Sequence, residues 1–277
     1  MDIHVANERE YVELRELWCQ TFGDEPEFVD RLYDLLNAIG YVVVDDDHVR
    51  SCLTLFEAGT HDGKPVWVSY AICTEERYQG NGFASNLIEY VRNTVINRGG
   101  LSLICPAELS LVSFYEKNKY NAYYYVRRCS VRKFDDVSVE TSPLSMAEYN
   151  AWREEFLEDV PHVTIKESLL QFVKWDSSVL QSLLLINNGD AICTIESIDD
   201  NTISIGEIIV NPKLLAYSKE ISFQIAQGLA KHFEVDNVKF QTLSNASYVE
   251  NIQGMVFGDV DEFNQNLTMP YFGFPLQ

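Results

Sequence analysis

Two short segments of the chain hold residues whose types and spacing could do chemistry. The first is Gln79-Gly80-Asn81-Gly82-Phe83-Ala84-Ser85. Glycines one residue apart let the backbone turn tightly with no Cβ in the way, so successive amide N–H groups can point at one place. If such a turn opens a helix, the positive end of the helix dipole backs those amides and makes an anion site suited to a pyrophosphate. A glycine pair can equally be a plain turn, and the surroundings must decide. The second segment is Ser113-Phe114-Tyr115-Glu116-Lys117-Asn118-Lys119-Tyr120. A phenol with a pKa of about 10 can serve as a proton donor, although a tyrosine there can also be a simple helix-face aromatic.

The flanking pattern supplies the elements that would position these segments. Val66 to Thr74 reads as a buried strand leading into the glycine turn, and Phe83 to Arg98 as an amphipathic helix leaving it. That helix has Leu87, Ile88, Val91, Val95 and Ile96 on one face and closes at Gly99-Gly100. Upstream, Ile3-His4-Val5 is a short strand and Glu8–Phe22 a helix. A second helix starts at Pro26 and ends near Gly40, and strands follow in "YVVVD" and "RSCLTLFEA". Downstream, "LSLIC" is a buried strand, "ELSLVSFYEKN" a helix and "AYYYVRRCSVRKF" a long strand. The order is β-α-α-β-β-β-α-β-α-β. The turn follows a strand and opens a helix, which is the context an anion site needs.

Composition narrows the class. The chain has 277 residues, enough for two domains, and 46% hydrophobic content can fill their cores. It carries 21 basic and 42 acidic residues, for a net charge of −21. Such a surface repels nucleic acid and anionic membranes; it would draw in a cationic substrate or serve solubility alone. No apolar run reaches the length of a membrane span, and the N-terminus does not read as a secretory signal. The six cysteines form no CxxC and no Cys/His cluster. This argues for a cytoplasmic, reduced protein and against a metal site or disulfide framework. The five histidines have no ligand spacing.

Gln79-Gly80-Asn81-Gly82-Phe83-Ala84 resembles the Q/R-x-x-G-x-G/A signature of the GNAT superfamily of acyl-CoA N-acyltransferases, with Tyr78 before it and Ser85 after it also usual. It is not the G-x-G-x-x-G dinucleotide fingerprint and not a Walker loop. The resemblance covers residues 1 to about 133 in element order. It implies an α+β (α/β) fold with a mixed, mostly antiparallel sheet flanked by helices, and acetyl-CoA as co-substrate. Backbone groups of Ile72, Cys73 and Thr74 would pair with the pantetheine arm, and amides from Gly80 to Ser85 would hold the pyrophosphate. The fourth and fifth strands would splay to admit the thioester. "SFYEKNKY" resembles the family's ending of the next helix, which gives Tyr115 the role of general acid toward the CoA thiolate.

The chain departs from the family in three places. Lys119 stands where a glycine is usual, so the helix end must take another form, which the sequence places on a left-handed Asn118. Glu108 stands where an asparagine is common, and its bland role is a carboxylate at a helix N-terminus. Neither "SYAIC" nor "LSLIC" offers the glutamate that often serves as base. Glu108, Glu57 and a water chain stay open as alternatives.

Beyond "DDVSVETSPLS", which reads as a linker, the pattern repeats in outline. "LQSLLLIN", "AICTIES" and "ISIGEIIVNP" match the three-strand meander, "KEISFQIAQGLAKHF" the helix and "VKFQTL" the next strand. A helix "SYVENIQGMVF" and a closing strand near "LTMPYFGF" complete it. The expected domains are therefore 1–134, an acetyltransferase, and 135–277, a degenerate copy duplicated in tandem. The copy has "NPKLLAYSKEIS" where the first half has its glycine loop, and Pro212 removes a further donor. Its role would be to cover the catalytic half, to complete the acceptor cleft, which Tyr123-Tyr124-Tyr125 could help line, or to form a homodimer. The function expected is acetyl transfer to a primary amine of a small cationic molecule. The alternative is a non-catalytic acyl-CoA-binding or regulatory module.

Overall fold

The computed structural model describes residues 2–177, 179–199, 201–215, 220–261 and 269–273. In chain order the elements are β1 (Asp2–Val5), α1 (Glu8–Phe22), α2 (Pro26–Leu36), β2 (Ile39–Asp45), β3 (His48–His61), β4 (Lys64–Thr74), α3 (Phe83–Asn97), β5 (Leu101–Ile104), α4 (Val112–Lys117) and β6 (Asn121–Arg132). There follow β7 (Thr141–Pro143), α5 (Met146–Phe156), β8 (Thr164–Ile165), α6 (Glu167–Asp176), β9 (Leu183–Ile186), β10 (Ala191–Asp199), β11 (Thr202–Val210), α7 (Pro212–Leu215), α8 (Ile221–His232), β12 (Asn237–Leu243) and β13 (Ile252–Phe257). The chain forms two compact units. One takes Met1–Ala122 with Gly254–Asp261, the other Tyr123–Gln253 with Glu262–Gln277.

In the first unit β1, β2, β3 and β4 form an antiparallel meander, β5 joins β4 in parallel, and the end of β13 pairs antiparallel with β5. The second unit repeats this order. β7, β9, β10 and β11 are antiparallel in turn, β12 joins β11 in parallel, and β6 pairs antiparallel with β12. Each sheet thus closes on a strand from the other half of the sequence. The mixed, mostly antiparallel sheet with flanking helices is the fold class expected.

Local chemistry sets the helix ends of the first unit. The Asn7 side chain accepts from the amides of Arg9 and Glu10, and the Glu10 carboxylate accepts from the Asn7 amide, a reciprocal cap for α1. Pro26 stands in the first turn of α2. That helix stops at a left-handed Asn37 and not at Gly40, which lies inside β2. Gly40 is needed for close approach, since a Cβ there would sit 2.7 Å from Leu14 Cδ1. The sheet-facing sides of α1 and α3 bury Leu14, Trp18, Leu87, Ile88 and Val91.

Three sequence expectations change. "SYVENIQGMVF" is not a helix: it is a short 3₁₀ turn, Val249–Asn251, followed by strand β13. Tyr248, Val249, Ile252 and Met255 have helical spacing, but pairing of Met255 to Phe257 with β5 overrides it. Of the strand expected near "LTMPYFGF", Leu267, Thr268 and Phe274 lie outside the described residues, and Met269 to Gly273 show one isolated bridge, at Tyr271. The expected linker contains β7, which pairs with β9.

The end of α4 also differs from expectation. Asn118 has an ordinary φ of −85° and Lys119 is the left-handed residue, at φ 68°. Its amide donates to Glu116 O at 2.8 Å and the Tyr120 amide to Tyr115 O at 3.1 Å, so the αL turn closes the helix with a lysine where glycine would be unstrained. Lys119→Gly is expected to raise stability by about 0.5–1 kcal/mol, the left-handed cost less glycine's extra chain entropy. A thermal unfolding midpoint that rises by about 2 °C would show this; a fall would refute it.

Candidate functional site

The site begins where β4 leaves β5. Their parallel register runs from Val66↔Leu101 to Ser69↔Ile104 and stops, because β5 ends at Ile104 and Pro106, two residues on, has no amide to donate. β4 continues to Thr74 paired with β3 alone. Between the pairs Thr54↔Tyr70 and Cys52↔Cys73, one residue of β3 faces two of β4, Ala71 and Ile72. This is a β-bulge, and it holds Ala71 at a positive φ of 48°. The bulge bends β4 and leaves Ile72, Cys73 and Thr74 on the stretch that has no β5 register. Ser51 ties this stretch down, with its hydroxyl 2.8 Å from Cys73 O and 2.9 Å from Thr74 Oγ1.

The glycine loop follows at once. Gly80 and Gly82 both take left-handed backbones, at φ 77° and 80°. Gly82 is the N-cap of α3 and brings no capping side chain, and no side-chain cap bond is made among the described residues. The first-turn amides of Phe83, Ala84 and Ser85 have no intrahelical acceptor by the geometry of any α-helix. A Cβ on Gly80 would meet nothing within 4 Å, and one on Gly82 only Asn86 Nδ2 at 3.9 Å, so there is open space beside both. Backbone conformation, and not crowding, demands glycine here. Gln79 and Asn81 shape the loop: Gln79 Nε2 donates to Thr74 O at 3.3 Å and Asn81 Nδ2 to Tyr78 O at 3.1 Å.

Glu75 and Arg50 tie the loop to the sheet. Glu75 Oε2 accepts from Arg50 Nη1 at 2.6 Å, and Oε1 accepts from Arg77 Nη2 at 2.6 Å and Nε at 3.0 Å. Hydrogen bonds from Arg77 and then Arg50 hold its carboxyl below the usual range. The Arg50 guanidinium lies 4.5 Å from the centre of the Tyr78 ring, which stacks on Phe83 at 5.8 Å. Both arginines thus share the one Glu75 carboxylate, Arg50 half-buried and Arg77 exposed. Arg50 lies 25 residues from Glu75, a separation that carries no local sequence signal.

Tyr115 is buried on α4. Desolvation first, then the neighbouring Cys105 thiol, push it up to about 12. No side chain among the described residues hydrogen-bonds its hydroxyl. Its helix is fastened to α3. Arg92 Nη1 donates to Asn118 O, Arg92 Nη2 to Glu89 at 3.1 Å, and Asn118 Nδ2 lies 3.5 Å from Ser85 Oγ. Arg92 also stacks on Phe257 at 4.7 Å. The sequence analysis did not single out Arg92, which is buried on α3. The candidate bases are not drawn together. Glu108 is exposed and accepts from Ser110 Oγ at 3.1 Å, capping no backbone amide, while Glu57 faces Trp67, two residues before the last β4–β5 pair.

The second unit has the same bulge with a different outcome. Between Ile205↔Phe240 and Ile208↔Thr242, β11 carries one extra residue, yet pairing with β12 resumes. Glu207, in that bulge, is fully buried and satisfied. Its carboxylate accepts from Tyr149 OH at 2.8 Å, Arg153 Nε at 3.3 Å and Tyr271 OH at 3.0 Å. Arg153 also donates to Val163 O and Phe272 O. No gap opens, and α7 follows β11 directly. Tyr123, Tyr124 and Tyr125, which the sequence suggested could help line an acceptor cleft, are all buried. No group of three or more His, Cys, Asp or Glu that could hold a metal occurs among the described residues.

The sequence model of the Acetyltransferase (GNAT) family matches residues 10–120, which hold the glycine loop and Tyr115. Residues 10–120 are a GNAT acetyltransferase domain. The chain therefore carries an acyltransferase enzyme domain. Solved structures share the fold at low identity. A GCN5-related N-acetyltransferase from Anabaena variabilis is 16% identical with a TM-score of 0.67, over 92% of this chain and 72% of that one. One from Kribbella flavida is 14% identical with a TM-score of 0.63, over 92% and 71%. A conserved protein of unknown function from Enterococcus faecalis V583 is 13% identical with a TM-score of 0.67, over 92% and 72%. No curated protein sequence matches the chain.

The loop anchors make separable demands. Arg50→Ala removes a half-buried charge-assisted bond and the Tyr78 stack, and is expected to cost about 1–2 kcal/mol. Arg77→Ala removes only an exposed partner and should stay within about 0.5 kcal/mol. Thermal midpoints of the two variants check the order, and equal losses would contradict it.

Proposed function

We propose that the first unit is an acetyl-CoA-dependent N-acetyltransferase acting on a primary amine of a small cationic molecule. The observation that carries this reading is the parting of β4 from β5 directly before an uncapped helix N-terminus. An open strand edge, Ile72–Thr74, and an amide cradle, Gly80–Ser85, stand six to thirteen residues apart on one continuous segment. Ile72, Cys73 and Thr74 would pair with the amide-bearing pantetheine arm as an added strand does. Amides from Gly80 to Ser85 would hold the pyrophosphate, with the α3 dipole behind them. The open space beside both glycines fits that group, and GNAT acetyltransferases as a family use acetyl-CoA.

The co-substrate supplies the acetyl group as a thioester, and the chain's residues handle position and protons. Amides of β4 polarise the carbonyl, and Tyr115 gives its proton to the departing sulfur. With the phenol at about 12 and a thiol near 8.5, full transfer costs about 5 kcal/mol. That fits within the barrier of about 16 kcal/mol for a turnover of about 10 per second. The phenol stays protonated across the neutral range, ready to donate. The net charge of −21 favours a cationic acceptor. The shared strand order of the two units supports reading the chain as a duplicated unit. The closed β11–β12 edge and filled Glu207 notch support giving the second copy no CoA site.

Two variants test the reading. Gly82→Glu puts a Cβ on a left-handed residue and a carboxylate in the phosphate site, and should abolish acetyl-CoA binding in calorimetry; unchanged binding would sink the cradle. Tyr115→Phe should lower turnover at least tenfold, measured as free thiol released with a panel of amines, and leave the acetyl-CoA Kd within about twofold. Equal turnover would remove Tyr115 from the mechanism.

A further inference from the structure

Cys52 on β3 and Cys73 on β4 face each other as direct register partners, and their sulfurs are 3.2 Å apart. Opposed residues of antiparallel strands have Cα atoms about 4.5–5.5 Å apart, inside the range of about 4.4–6.8 Å that a disulfide spans. Both side chains are buried, with Cys73 5% exposed and Cys52 fully covered. Closing the bond to about 2.05 Å would draw the sulfurs together by about 1 Å. That displacement falls one residue from the bulge at Ala71–Ile72, on the stretch Ile72–Thr74 that β5 does not hold. Ser51, next to Cys52, is the residue bonded to Cys73 O and Thr74 Oγ1, so the strand end answers to movement on the β3 side as well.

We propose that Cys52 and Cys73 are a redox-sensitive site, closed by a hydroperoxide into a cross-strand disulfide that locks the end of β4 and weakens co-substrate binding there. The second consequence rests on the function proposed above. The chemistry balances with hydrogen peroxide as oxidant. Cys73 Sγ takes one peroxide oxygen to become a sulfenic acid, and one water leaves. Cys52 Sγ then attacks Cys73 Sγ: the S–S bond forms, the S–O bond breaks, and the oxygen leaves as a second water with the Cys52 proton. The hydrogen bond with Cys73 and burial push the Cys52 thiol up. Burial of both thiols restricts access, so the pair stays reduced under mild conditions and closes only under sustained peroxide.

The full-length chain treated with hydrogen peroxide should give a non-reduced peptide map in which the Cys52 and Cys73 peptides are joined and two hydrogens lighter, reversibly with dithiothreitol. Cys52→Ala and Cys73→Ala should each abolish that species. Amide exchange at Ile72–Thr74 should slow at least tenfold, and the acetyl-CoA Kd should rise at least tenfold. A map in which Cys19 or Cys105 oxidises while Cys52 and Cys73 stay free overturns the proposal. So does a joined pair that leaves exchange unchanged, or one that leaves an existing acetyl-CoA affinity within twofold. Failure of the reduced chain to bind acetyl-CoA strikes the proposed function alone, because map and exchange decide the lock without any ligand.

Discussion

A strand that stays paired on one side while its other neighbour ends is a strained arrangement, and the first unit is organised around it. β4 keeps β3 to its last residue and loses β5 after Ser69. Left alone, such an end would fray, and its backbone groups would rely on water. Several contacts hold it. Ser51 bonds Cys73 O, the Cys52 and Cys73 side chains meet under cover, and the Glu75 amide donates to Arg50 O at 2.8 Å, carrying the β3 pairing one step beyond the strand. The bulge at Ala71 adds a left-handed residue, at a local cost of about 1–2 kcal/mol. A strained backbone beside an open edge is what a binding segment needs, since the same groups that lack a strand partner can accept a ligand.

The loop and the two helices inherit their positions from that strand end. Glu75, the first residue past β4, gathers Arg50 from β3 and Arg77 from the loop and so ties the loop back to the sheet. The proposed pyrophosphate site would then rest mainly on the amides at the α3 N-terminus. α3 in turn fixes α4 through Arg92, whose guanidinium reaches the carbonyl end of α4 at Asn118, a place where the helix dipole favours a cation. Tyr115 rides on that short helix. Six residues of helix would not persist alone; the contacts with α3 and the αL turn at Lys119 hold it.

The second unit shows how the same topology behaves when the edge closes. β11 has a bulge in the matching place, but β12 pairs on both sides of it, with Thr242 Oγ1 donating to Ile208 O at 2.9 Å. The interior that would have opened is filled by Glu207 and its three partners. A buried carboxylate is tolerated because each oxygen accepts a hydrogen bond and Arg153 supplies the opposite charge. A satisfied buried network thus stands in the second unit where the first has an open strand edge.

By itself the sequence determined the element order of the first half, the strand–turn–helix around Gly80 and Gly82, and Tyr115 as the residue to watch. These are local signals: period-two and period-3.6 apolar patterns, glycines for positive φ, proline in a first helical turn. It also gave the meander, helix and strand of the second half. Tertiary structure alone decided the rest. The helical spacing of "SYVENIQGMVF" yielded to sheet pairing with β5, a partner some 150 residues away. Arg50 joined Glu75, and Arg92 joined Asn118, across separations of 25 and 26 residues. Lys119, not Asn118, took the left-handed turn, because the amides of Lys119 and Tyr120 had to reach back to Glu116 and Tyr115. Whether β4 parts from β5 or β11 stays with β12 depends on which backbone groups find partners across the sheet. That pairing is non-local: the family resemblance implied the parting and Pro106 favours it, but no spacing within either strand records it.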